Sequence, residues 1–231
     1  AKNATPVRCS LTVRDFWKDG KVERGAGRYG EWARELAVSE NDLERAETEI
    51  KRALELDPTS SDGHLAHSKL ELARGHADTA LEDADKALGI NPRVVGGRGQ
   101  RGTALWKLGR LEEAVKELEA ARVDEPRNTS VIVTLGAVQL EKDDLGGATG
   151  SLMAALTSEP SNPEANFFLA RVKNLKAEHT GAIEHMKRAL DQQSKRAEFR
   201  FWMGRIYLDA KKTQEAVDEW NLDKSLAFYK D

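Results

Sequence analysis

One interval governs this chain. Pro58, Pro92, Pro126 and Pro160 stand 34 residues apart. Alanine keeps the same beat at Ala46, Ala80, Ala114, Ala148, Ala182 and Ala216, and again seven residues later at Ala53, Ala87, Ala121, Ala155 and Ala189. A third phase carries Ser68, Gly102, Gly136, Ala170 and Gly204, all small. Several independent positions sharing one period mark a repeat architecture, in which no single unit can bury its apolar face alone and stacking supplies the core.

The spacing predicts helices. Ala114 and Ala121 lie two turns apart on one helix face. Segments such as Leu111–Leu118 combine strong helix formers with an apolar face. Each proline follows an acidic or amide residue (Asp57, Asn91, Glu125, Glu159), and the residue before proline is pushed out of helical geometry, so the chain turns there. Ser130–Thr134 is rich in β-branched residues and read alone suggests a strand. The repeat register overrides that preference and assigns it to a helix. The small third-phase residues are expected where a second helix approaches closely.

The segment Gly102–Val115, reading GTALWKLGRLEEAV, resembles the tetratricopeptide repeat, and so does Ala53–Pro58, reading ALELDP. The resemblance implies an all-α, right-handed superhelical solenoid of antiparallel helix pairs, helix A and helix B, with about six repeats. Counting back from the prolines gives 27–60, 61–94, 95–128, 129–162, 163–196 and 197–230, with residues 1–26 a cap or linker. Phe16 and Trp17 are expected to cap the first helix pair. Three departures from the family pattern stand out. Tyr29, Trp32, Ala33 and Leu36 are one residue out of phase, Ser194 replaces a proline, and Asp223 replaces an alanine.

In this family certain helix A positions line a concave groove. Carried over, they are Leu65, Lys69 and Leu72; Trp106 and Lys107; Val133 and Leu140; Phe167, Arg171 and Asn174; and Phe201, Arg205 and Leu208. Large apolar side chains, chiefly Trp106, Phe167 and Phe201, stand beside the basic groups Lys69, Lys107, Arg171 and Arg205. Aromatic and Arg residues are the usual anchors of interfaces. The expected occupant is therefore an apolar peptide or helix carrying some acidic residues. The family's carboxylate clamp for chaperone C-termini is not expected, because Glu31, Glu35, Leu65, Gly99 and Thr103 occupy the corresponding positions.

Other function classes find little support. With 36 Lys and Arg against 39 Asp and Glu, the net charge is -3, without the basic excess of a nucleic-acid binder. No run of 18 apolar residues exists to span a bilayer. Gly97–Gly102 fits G-x-G-x-x-G by letter, but no strand precedes it and Gly102 is a packing position. His64 and His67 share a helix face without a third ligand at suitable spacing, so packed, satisfied histidines are expected rather than a metal site. His76, His179 and His185 read as surface residues. No nucleophile, base and oxyanion donor assemble, and neither an enzyme nor a cofactor is expected. The lone Cys9 fits a reducing compartment, which slightly favours the cytoplasm, though a periplasmic protein would look alike. The leading expectation is a protein-interaction scaffold. The alternative is a spacer or pilot component of a bacterial pilus, secretion or motility machine.

Overall fold

A computed structural model describes residues 17–18, 21–22, 40–194 and 196–222. The expectations for Cys9, Phe16, Tyr29, Glu31, Trp32, Ala33, Glu35, Leu36, Asp223 and the side chain of Trp17 lie outside what is described. A two-residue strand pair comes first, β1 (Trp17–Lys18) antiparallel to β2 (Lys21–Val22). Eleven helices follow among the described residues: α1 (Glu40–Leu56), α2 (Ser61–Arg74), α3 (Ala77–Ile90), α4 (Gly97–Lys107), α5 (Leu111–Asp124), α6 (Thr129–Glu141), α7 (Leu145–Ser158), α8 (Pro163–Leu175), α9 (His179–Gln192), α10 (Ala197–Asp209) and α11 (Thr213–Leu222). The fold is an all-α helical-repeat solenoid. Two compact units divide it, Ala1–Val94 and Val95–Asp231.

The 34-residue beat is written into the helix ends. Helices α3, α5, α7, α9 and α11 begin at residues 77, 111, 145, 179 and 213, and those from α1 to α9 in this register end at 56, 90, 124, 158 and 192. The residue before each proline forms the helix exit with an extended φ near −130°, at Asn91, Glu125 and Glu159. Gln193 adopts the same φ of −132 although Ser194 follows it, so the helix pairing sets this exit and proline reinforces it. The β-branched stretch 130–134 lies inside α6, as the register requires.

Between the helices of each pair the chain reverses through one left-handed residue: Gly75 (φ 84), Gly109 (φ 73), Asp143 (φ 60), Ala177 (φ 60) and Lys211 (φ 61). Backbone hydrogen bonds close the turn, for example from Gly109 N to Trp106 O at 2.9 Å and from Arg110 N to Leu105 O at 2.9 Å. These satisfy helix-end carbonyls that would otherwise lack partners. Only Gly adopts this conformation without a Cβ penalty, so three of the five turns carry strain.

Small residues permit the close pairing. A Cβ built on Gly102 would lie 2.7 Å from Leu118 Cγ, and one on Gly136 would lie 2.7 Å from Leu152 Cγ. At the equivalent position Ser68 donates its hydroxyl to Ala80 O at 2.6 Å, and Gly204 faces Trp220. Both alanine series are core apart from Ala53, which is half-buried: Ala80, Ala114, Ala148, Ala182, Ala216, Ala87, Ala121, Ala155 and Ala189 are all 0% exposed, and Ala46 is 1% exposed.

In the first unit Ala46 and Ile50 of α1 pack on Ala66 and Leu70 of α2, while Leu65 joins Ala87 and Val94. A polar cluster lies beside them. His64 Nδ1 lies 3.1 Å from Asp83 Oδ1, and His67 Nδ1 meets Asp83 Oδ2. Lys86 also reaches Asp83, at 3.2 Å, and His76 Nδ1 lies 2.7 Å from Glu71 Oε2. The two helix-face histidines are thus satisfied by one buried carboxylate. The three expected at the surface are more engaged than predicted. His76 is exposed but bonded, while His179 and His185 are half-buried, 3.0 Å from Asn174 Oδ1 and 2.9 Å from Asn166 Oδ1.

Candidate functional site

The second unit stacks four helix pairs, α4/α5, α6/α7, α8/α9 and α10/α11. Helices α4, α6, α8 and α10 also touch in succession, so together they build one face, the helix A face. Most of the unit's large aromatic side chains converge there. Trp106 of α4 meets Phe168 of α8 edge-on at 6.3 Å between ring centroids. Phe168 also contacts Phe167 at 5.0 Å. Phe167 meets Trp202 of α10 at 6.5 Å, and Trp202 meets Phe201 at 6.2 Å. Trp106, Phe168, Phe201 and Trp202 are half-buried, so each keeps part of its ring toward solvent while packing on its neighbours.

Arg171 sits among these rings. Its guanidinium carbon lies 4.3 Å from the Trp202 centroid, 5.6 Å from Phe167 and 5.8 Å from Phe168. Its Nε is buried without a hydrogen-bond partner among the described residues. Burial pushes its pKa below the usual arginine value, and Glu198 and Glu141 oppose that shift only through longer-range attraction. Lys107 is exposed, with its ammonium 4.3 Å from the Trp106 centroid. Cations over aromatic faces are attracted by the ring quadrupole, more strongly where water is excluded.

The remaining expected groove residues divide. Asn174 is half-buried and committed: its amide donates to Asp209 at 2.6 Å and its oxygen faces His179. Arg205 is exposed and paired with Asp209 at 3.5 Å, and Leu208 is 39% exposed. Four expectations need correction. Phe167 is only 1% exposed, stacked on Phe199 at 4.6 Å and 21°, and belongs to the core. Val133 and Leu140 are each 6% exposed, packed with Leu152, Leu169 and Val172. Leu65, at 4%, lies in the core of the first unit. These positions fill the seam between neighbouring helices, where burying the side chain stabilises the stack and leaves nothing to offer a partner. Lys69 and Leu72, both half-buried, belong to the first unit.

Two residues of the face escaped the sequence reading, Phe168 and Trp202. The signal was present, since the chain reads Phe167–Phe168 and, 34 residues on, Phe201–Trp202. At both places the register selected the first aromatic of the pair. In α8 the geometry turns that first ring into the core and leaves the second on the face.

The sequence model of the tetratricopeptide repeat matches residues 62–128 and 176–223. Helix pairs, left-handed turns and small-residue contacts at one period supply the physical counterpart of that match. The chain belongs to the tetratricopeptide repeat family. Within it, the Protein STIP1 homolog of Dictyostelium discoideum is 37% identical over 92 residues, 40% of this chain and 16% of that protein. The type IV pilus assembly protein PilF of Pseudomonas aeruginosa is 28% identical over 130 residues, 55% of this chain and 48% of that protein. The chain thus spans less than half the length of either relative. Among solved structures, PilW, a widely conserved type IV pilus biogenesis factor, superposes with a TM-score of 0.72 at 22% identity, covering 86% of this chain and 91% of that one. That likeness shows the fold.

Tetratricopeptide proteins bind protein partners, and this one is a protein-interaction scaffold in that general sense. None of its described helices is long and apolar enough to cross a membrane.

Proposed function

We propose that this tetratricopeptide protein is a non-enzymatic scaffold that holds a peptide or helix of its partner against the helix A face of the second unit. The contact residues are Trp106, Lys107, Phe168, Arg171, Phe201 and Trp202, with Arg205 and Leu208 at the margin. The carrying observation is the half-buried aromatic cluster reaching from α4 to α10 with Arg171 lodged in it. A partner's apolar side chains complete the burial of these rings, and interface energy concentrates in such aromatic and Arg anchors. The test is site-specific photo-crosslinking in native extract, with a benzophenone side chain at Phe168 or Trp202 and, for comparison, at Glu119 on α5. Crosslinks from the first two sites alone support the reading. Crosslinks confined to Glu119 overturn it.

A second reading names the kind of assembly. The likeness to PilF and PilW supports a component of a type IV pilus machine. The two readings share the binding face and differ in partner identity. Crosslinked partners that belong to no envelope machinery count against the second.

A further inference from the structure

We infer that Arg171 is the receiving point for a carboxylate, and that the partner segment carries an Asp or Glu beside an aromatic or large aliphatic residue. The acid pairs with the Arg171 guanidinium, and its neighbour packs on Trp106, Phe168 or Trp202. This rests on the helix A face being the binding surface.

Arg171 differs from nearby charged groups. Arg205 pairs with Asp209, Arg200 with Glu219, Arg196 with Glu164 and Lys173 with Glu178. Arg171 has no ion pair among the described residues; its contacts are the three rings, and its Nε is buried and unpartnered. A half-buried guanidinium without an anion works against stability, and well-packed apolar replacements of buried charges are often neutral or stabilising. The feature has a physical use once an anion arrives. The guanidinium presents parallel N–H donors that match a carboxylate fork, in surroundings where water competes poorly. Three rings already pack around it, so little rotamer freedom remains to be lost on binding.

Two further observations fit an acidic, acceptor-bearing occupant. Lys107 lies over Trp106 with no ion pair among the described residues, adding a second positive centre to the same face. Gln100 of α4 stands in the 34-residue register of Phe168 and Trp202, and its Nε2 is also buried without a partner among the described residues. The surface therefore offers aromatic area together with donors that lack acceptors, and a segment combining apolar bulk with a carboxylate complements both.

The test uses a phage-displayed random dodecapeptide library panned on the immobilised full chain. The enriched peptides are then synthesised and titrated by following Trp fluorescence. The inference predicts that they share an Asp or Glu within about one helical turn of an aromatic or large aliphatic residue. Replacing that acid with its amide on the peptide weakens binding to the wild-type protein at least tenfold. Arg171→Met weakens it as much, while the amide peptide binds wild type and variant alike. Because one measurement changes only the peptide, the result does not depend on how the variant folds. Arg171→Met is also expected to melt no lower than wild type, whereas a residue with only a structural role would lower the melting temperature. Peptides without acids, or acids whose amidation changes nothing, overturn the inference. If binding to such peptides still weakens in Phe168→Ala or Trp202→Ala, the face survives as the binding surface. If nothing is enriched, or those two variants bind as wild type, both readings fall.

Discussion

Position 109 and position 177 occupy the same turn in different repeats, one as Gly at φ 73 and the other as Ala at φ 60. Exchanging their residue types should move stability in opposite directions. A Cβ on Gly109 would meet nothing within 4 Å, so Gly109→Ala introduces no clash and tests the backbone alone. Placing an L side chain in the left-handed region costs about 1–2 kcal/mol. The entropy removed from the unfolded chain returns about 0.4–1 kcal/mol. Gly109→Ala should therefore destabilise by roughly 1 kcal/mol, and Ala177→Gly should stabilise by a similar amount. For a domain of this size each change shifts the melting temperature by about 2–4 °C. The assay is urea unfolding followed by far-UV circular dichroism, comparing midpoints at unchanged slope. If both variants move in the same direction, or Ala177→Gly lowers the midpoint, the strained-turn argument is wrong.

Other consequences can be checked with the same preparations. Gly136→Ala should destabilise by about 1–3 kcal/mol as its Cβ meets Leu152 Cγ, even though alanine is the better helix former. Gly150→Ala, exposed on α7 with nothing within 4 Å, should stabilise by about 0.5–1 kcal/mol, and equal shifts for the two variants would refute the close-packing account. The hydrogen bond to Asp83 raises the His67 pKa above its ordinary 6.5, against burial, so the stability it contributes is full below 6.5 and lost as pH rises through the folded value. Burial pushes Asp83 upward, but hydrogen bonds from His67, His64 and Lys86 prevail and bring it to about 2, so its contribution is lost as pH falls from its ordinary 3.8 toward 2. Unfolding midpoints should thus decline on both flanks, and Asp83→Asn should flatten the alkaline one; an unchanged profile would count against the cluster. Helix α4 starts at Gly97 without a side-chain cap, so hydrogen exchange should be faster there than at the starts of α6 and α8, capped by Asn128 and Asn162.

The fold was legible because its determinants are periodic. Proline, alanine and the small third-phase residues each report a helix exit or a helix–helix contact, and each recurs at one spacing. The turns at Asp143, Ala177 and Lys211 were less legible, since no glycine marks them and only alignment with Gly75 and Gly109 shows their left-handed role. The candidate site was legible by helix and not by residue. Successive side chains on a helix are 100° apart, so the choice between Phe167 and Phe168 decides between core and surface. That choice depends on how far α8 rolls against α6 and α10. The roll is fixed by the packing of Phe167 on Phe199. No local pattern within Phe167–Phe168 carries that information. The isolation of Arg171 was likewise invisible, because the sequence shows charges and not which of them find partners.

The central claim is that the helix A face of the second unit holds the partner. Capture from native extract with Phe168→Ser, Trp202→Ser, beside Val123→Ser, Met153→Ser, tests it most directly. Val123 and Met153 are 77% and 57% exposed on α5 and α7, away from the aromatic cluster. With equal helicity in all three proteins, the account predicts that the partner retained by wild type is lost from the first variant and kept by the second. Retention by the first variant, or loss from the second alone, would contradict it and place binding on the helix B side.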